Sequence, residues 1–136
     1  MKYEELIKAA LDMRHYSYTP YSHFAVGAAV LTRSGKIYTG CNVENAAYSP
    51  SICAERVAIF KAVSEGETEF EAVAIAGGKQ GEAPDTYCPP CGVCRQVIRE
   101  FCQPDFRILL PKSIDDVKEY TLAELLPEGF GPENVK

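Results

Sequence analysis

Two short segments of this chain hold residues able to do chemistry together: Cys53-Ala54-Glu55-Arg56 and Pro90-Cys91-Gly92-Val93-Cys94. Zinc favours thiolate ligands, and a catalytic zinc takes three protein ligands in a tetrahedron and keeps the fourth position for water. Cys53, Cys91 and Cys94 offer three sulfurs. Glu55 belongs beside such a metal and not on it, because direct coordination would close the site to water. Left uncoordinated, it can take a proton from the water and pass it on. Arg56 is placed to donate hydrogen bonds to ligand sulfurs and so draw off the negative charge that three thiolates leave on one Zn²⁺. Other readings stay open at this point. A Cys-x-x-Cys pair alone also fits a structural zinc site or a redox pair, with Glu55 a surface carboxylate.

Cys88 precedes Cys91 by the same step that separates Cys91 from Cys94, which makes it a rival ligand. Pro89 and Pro90 argue against it, since they favour an extended segment ahead of the helix. Cys41 and Cys102 read as small core hydrophobes. His15 and His23 read as a helix-face and a loop residue, so an all-thiolate site is expected.

Each sulfur segment lies where a loop becomes a helix, and the free amides of a first helical turn stabilise thiolates. The spacing predicts one helix over residues 53–63, with Ala54, Val57, Ala58 and Ala62 buried, and another over 92–101, with Val93, Val97 and Ile98 inward. An amphipathic helix is expected over 3–16 and ends before Pro20. Residues 24–31 and 37–41 read as a hairpin turned by Arg33-Ser34-Gly35-Lys36. Further strands are expected at 71–76 and 106–110, with a weaker one at 117–121. Residues 77–90 read as a long loop, 122–126 as a helical turn, and 127–135 as a Gly/Pro-rich tail. With no internal repeat and no linker, residues 1–136 form a single domain: a mixed sheet covered by helices on both faces.

Composition bounds the partners. The chain is 46% hydrophobic and 24% charged, as expected for a soluble globule. Its net charge of -5 gives no general attraction to a phosphate backbone or an anionic membrane. No apolar stretch is long enough to span a bilayer, and no signal-peptide pattern opens the chain, so a cytoplasmic location is expected. Six cysteines in a reducing compartment point to metal ligation more than to disulfides.

Cys53-Ala54-Glu55-Arg56 with Pro90-Cys91-Gly92-Val93-Cys94-Arg95-Gln96 resembles the zinc nucleoside deaminases, most closely the small homotetrameric cytidine deaminases. The resemblance extends over 21–29, 40–46, 61–66 and 124–132, nearly the whole chain. It implies a three-layer α/β/α fold around a five-stranded mixed sheet, one Zn²⁺ per subunit, and a homotetramer. The activity it implies is hydrolysis of cytidine and 2′-deoxycytidine to uridine and 2′-deoxyuridine with release of ammonia. It sets Asn42 and Glu44 on the ribose hydroxyls, Phe24 against the nucleoside, and Ala54 with Glu55 at the cytosine edge. Tyr48 and Phe130 match positions that approach an active site, Phe130 from a neighbouring subunit. Nucleic acid and membrane are not expected partners. Apart from the resemblance, Asn42 and Glu44 also read as the polar end of an edge strand, and the three aromatics as core or surface residues.

Overall fold

The computed structural model describes residues 3–136; Met1 and Lys2, the first two residues of the expected domain, lie outside the described residues. Amphipathic spacing forms the opening helix α1 (Glu4–Met13), which turns Leu6, Ile7 and Ala10 inward and ends in a 3₁₀ turn at Arg14–Tyr16. Two apolar strands follow, β1 (Phe24–Thr32) and β2 (Ile37–Cys41). They pair antiparallel through the expected turn, where Gly35 takes a positive φ. Helix α2 (Ala54–Ser64) leads to β3 (Phe70–Lys79), and helix α3 (Gly92–Phe101) leads to β4 (Arg107–Ser113). The chain continues as β5 (Asp116–Thr121) and a one-turn helix α4 (Leu122–Leu125), whose start is closed by a capping box between Thr121 and Glu124.

The five strands form one mixed sheet in the order β2-β1-β3-β4-β5. Only β3 and β4 run parallel, and the crossover that a parallel pair needs contains α3. α1 covers one face through Leu6, Ile7 and Ala10, packed on Ala29, Ala72, Ala74 and Leu109. α2 and α3 cover the other through Ala58, Ile59 and Ile98, packed on Val30, Val73, Ile75 and Ile108. This is the three-layer α/β/α arrangement with a five-stranded mixed sheet that the sequence led us to expect. β2 runs close beneath α2. A methyl group at Gly40 would come within 2.6 Å of the Ala58 amide nitrogen and 2.9 Å of the Val57 Cβ, with the Ala54 carbonyl oxygen nearer still.

Three local expectations need correction. β3 does not stop at Ala76 but runs through Gly77 and Gly78 to Lys79, because those residues pair with Val26 and Ala25 of β1. Val93 is 57% exposed, not inward: Cys94 and Ile98, four residues apart, occupy the buried stripe of α3, and Val93 falls outside it. Val57 is only half-buried, and Ile59 takes a buried place on α2 instead.

Candidate functional site

Cys53 and Cys91 are each the residue before the first turn of a helix, α2 and α3 respectively. That position usually carries Ser, Thr, Asp or Asn, whose side chain caps a free amide. Here both residues are extended and neither side chain caps its helix, so both sulfurs are left for another partner. Packing of the two helices on one sheet face brings them together. Cys53 Sγ lies 3.6 Å from Cys91 Sγ, which lies 3.5 Å from Cys94 Sγ, and all three sulfurs fall within 4.8 Å of one another. Zinc bound tetrahedrally through Zn–S bonds of about 2.3 Å places sulfurs about 3.8 Å apart, so the cluster has the dimensions of such a site. Among the described residues it is the one group of His, Cys, Asp and Glu side chains assembled this way. Cys88 stays outside it, as the two prolines led us to expect.

Electrostatics set the three thiols apart. Cys53 is held well below the ordinary thiol range by the neighbouring Cys94, Arg56 and Cys91. Cys94 is correspondingly held above its ordinary value, by the neighbouring Cys53 and by burial. Metal binding must therefore expel protons from the cluster, which makes affinity depend on pH. Arg56 Nη2 donates to Cys53 Sγ at 3.4 Å, which is the contact expected for it. Its Nε is buried with no hydrogen-bond partner among the described residues.

Glu55 sits in the first turn of α2 and is only 3% exposed. Burial, reinforced by the neighbouring Cys53 charge, pushes its carboxyl up to about 7. A carboxyl balanced near neutrality is suited to taking and returning a proton.

A cavity of about 300 Å³ opens on these groups and is lined by Asn42, Glu44, Cys53, Ala54, Glu55 and Cys91. Asn42 is held by β1: its Oδ1 accepts from the Val26 amide at 2.9 Å and its Nδ2 donates to the Phe24 carbonyl at 2.9 Å. One amide hydrogen and one lone pair remain for a ligand. The Glu44 carboxylate accepts from the Ser22 hydroxyl and from the amides of Tyr21 and Ser22, both at 3.1 Å. These bonds, the Ser22 hydroxyl foremost, hold it below the usual carboxylate range and therefore ionised.

The aromatic candidates stand apart from the lining. Phe24 is 37% exposed, and its ring packs over Gly77 beside Cys88. Tyr48 is 73% exposed, has a positive φ, and meets Tyr21 edge-on. Phe130 is 59% exposed on the tail, its carbonyl accepting from Gln96 Nε2 at 2.8 Å. Cys102 is buried as expected; Cys41 is half-buried and its thiol faces the Tyr16 carbonyl at 3.4 Å.

Sequence reasoning missed Val26, Ser51, Ile52, Cys88 and Pro89 as cavity walls. A signal for Cys88 was present in Gly77-Gly78, since paired glycines on a strand mark a close approach of other chain. Ser51 and Ile52 reach the wall because 43–52 closes on itself: Val43 and Ile52 exchange backbone hydrogen bonds at 3.1 and 3.0 Å. That pairing is invisible to periodicity.

Comparison with known proteins agrees with this geometry. Residues 1–109 match the family described as the cytidine and deoxycytidylate deaminase zinc-binding region. A cytidine deaminase of Sporosarcina psychrophila is 46% identical over 135 residues, covering 99% of this chain and 96% of that protein. One from Halalkalibacterium halodurans is 42% identical over 99% of this chain and 98% of its own length. The crystal structure of cytidine deaminase from Burkholderia pseudomallei superposes with a TM-score of 0.85 at 42% identity, covering 96% of this chain and all of that one. This chain belongs to the cytidine deaminase family.

Proposed function

We propose that the protein hydrolyses cytidine and 2′-deoxycytidine to uridine and 2′-deoxyuridine, releasing ammonia, and that it works as a homotetramer with one Zn²⁺ per subunit. The observation that carries this reading is the buried Glu55 carboxyl sharing one cavity with Cys53 and Cys91, two of three sulfurs that converge within 4.8 Å of one another. Zinc held by Cys53, Cys91 and Cys94 would supply an acidic water in the open fourth position. Glu55 accepts a proton from the attacking water and delivers it to N3 of the base as C4 becomes tetrahedral. It then takes the proton of the hydroxyl added at C4 and carries it to the exocyclic amine, which leaves as ammonia as the C4 carbonyl forms. The backbone at Ala54 helps hold the edge of the base. Arg56 keeps negative charge from accumulating on Cys53.

Glu44 and the free capacity of Asn42 receive the sugar hydroxyls, and both lie on the cavity wall. An ionised Glu44 there accepts from hydroxyls and repels a phosphate, and among the described residues no Lys or Arg lines the cavity. A nucleoside is therefore favoured over a nucleotide or a polynucleotide. Phe24 packs near the nucleoside, while Tyr48 and Phe130 are exposed enough to complete a pocket across a subunit boundary. No helix among the described residues is long and apolar enough to cross a membrane.

The test is incubation of the zinc-loaded protein with cytidine, 2′-deoxycytidine and cytidine 5′-monophosphate, following loss of cytosine absorbance and release of ammonia, with and without a chelator. Turnover of both nucleosides, abolished by the chelator, is expected. Zinc binding without turnover of any of them would reduce the protein to a zinc-stapled scaffold. Sedimentation tests the tetramer, and a stable active monomer would remove the roles of Tyr48 and Phe130.

A further inference from the structure

Residues 80–91 join β3 to α3 and carry no helix or strand of their own, yet they end in Cys91 and lead directly into the first turn of α3, which carries Cys94. A free loop in that place would let Cys91 and Cys94 drift from Cys53. Near Cys91 the chain is fastened instead at three points. Cys88 lies flat on β3: a Cβ added to Gly77 would stand 2.6 Å from the Cys88 sulfur, so this approach requires glycine there. The Pro90 carbonyl accepts from Arg95 Nε at 2.8 Å, inside α3 itself. The third fastening reaches to the far edge of the sheet. Tyr87 Oη donates to Asp116 Oδ1 at 2.5 Å, while Lys112 Nζ and Lys118 Nζ stand 4.6 and 4.9 Å from the centre of its ring. Asp116 and Lys118 lie on β5 and Lys112 on β4, and neither strand contributes a residue to the cavity.

We infer that Tyr87 is a positioning residue for the metal centre, through which the β4–β5 hairpin clamps the segment carrying Cys91 and Cys94 and slows release of the metal. The inference rests on the zinc reading of the cysteine cluster. Its physical basis is local opening. A metal leaves when one ligand segment swings away from the other, and the rate follows the free energy of the contacts broken in that swing. Between Tyr87 and Cys91 stand only Cys88, Pro89 and Pro90, and the two prolines allow little slack, so a shift at Tyr87 passes on to Cys91. The phenol–carboxylate bond is charge-assisted and the two ammonium groups hold the ring over the hairpin.

The test is transfer of zinc from the loaded full-length protein to a chromogenic chelator, compared among wild type, Tyr87→Phe, Asp116→Ala, the double variant, and Arg107→Gln. The last breaks the Arg107–Glu119 ion pair of the same hairpin, 3.1 Å long, without touching the loop. Tyr87→Phe keeps the ring and removes the hydroxyl, and should speed release about fivefold, as expected for a charged hydrogen bond between partly exposed groups. Asp116→Ala should do the same, the double variant no more than either, and Arg107→Gln nothing. The urea midpoint of metal-free Tyr87→Phe should fall only by what this one hydrogen bond contributes, leaving the metal-free chain folded under the assay conditions. Release at the wild-type rate in Tyr87→Phe, equal acceleration in Arg107→Gln, or additive effects in the double variant would each overturn the clamp. A wild-type chain that binds no zinc overturns the cluster reading itself, and the clamp with it.

Discussion

Replacing Gly40 by Ala perturbs the site from beneath, and its effect can be worked from distances. The new methyl group would meet Ala58 N at 2.6 Å and Val57 Cβ at 2.9 Å, with the Ala54 carbonyl oxygen closer still. All three belong to α2, and the two backbone atoms cannot step aside as a side chain tip can. Restoring ordinary contact distances requires α2 to lift from β2 by on the order of 1 Å. The first turn of that helix carries Glu55 and is preceded by Cys53, so the displacement separates both from Cys91 and Cys94 on α3. Overpacking of this kind costs about 1–3 kcal/mol of stability, and backbone obstruction places Gly40→Ala toward the upper end. A misplacement of about 1 Å at a catalytic group costs on the order of 10²-fold in rate. Urea unfolding measures the first effect; kcat on cytidine, at confirmed zinc loading and below the unfolding transition, measures the second. A variant with wild-type midpoint and wild-type kcat would refute the packing of α2 on β2 as the device that places Cys53 and Glu55.

Arg56→Gln removes the positive charge that donates to Cys53 Sγ and should raise the pH at which the rate reaches its plateau by about one unit; an unchanged pH–rate profile would dispose of its role. In the metal-free protein the Glu55 carboxyl is raised from 4.5 to about 7, so it contributes stability that is full below pH 4.5 and is lost as pH rises through 7. Unfolding of metal-free wild type and Glu55→Gln should therefore show the stability of wild type relative to the variant falling by about 3 kcal/mol across that window, and a pH-independent difference would contradict the burial. Ile98→Ala, at the buried centre of α3, should cost about 2–5 kcal/mol in urea unfolding, against less than about 1 kcal/mol for Val93→Ala on the exposed side.

The parts of the molecule legible in the sequence were those with a local cause. Alternating and helical spacing marked α1, the β1–β2 hairpin and the helices α2 and α3, and residue type and spacing marked Cys53, Glu55 and Arg56 as neighbours of one cluster. What periodicity could not carry was anything set by a distant partner. β3 overran its expected end because Gly77 and Gly78 look like loop residues alone and become strand only when paired with β1. The apolar character of Val93 suggests an inward place, but its neighbour Cys94 takes the buried position through the cluster of sulfurs. The hold of Ser22 on Glu44 and of Asp116 on Tyr87 spans 22 and 29 residues and follows from the assembled fold.

In the proposed mechanism three sulfurs hold the metal, and a carboxyl that does not hold it moves the proton. Zinc content and cytidine turnover measured together on Glu55→Gln separate these two jobs in one preparation. Glu55→Gln should hold one zinc per chain, as in wild type, with turnover down by at least about 10²-fold, the lower range for loss of a general acid–base group. Near-normal turnover, or loss of the zinc along with the carboxyl, would contradict that mechanism.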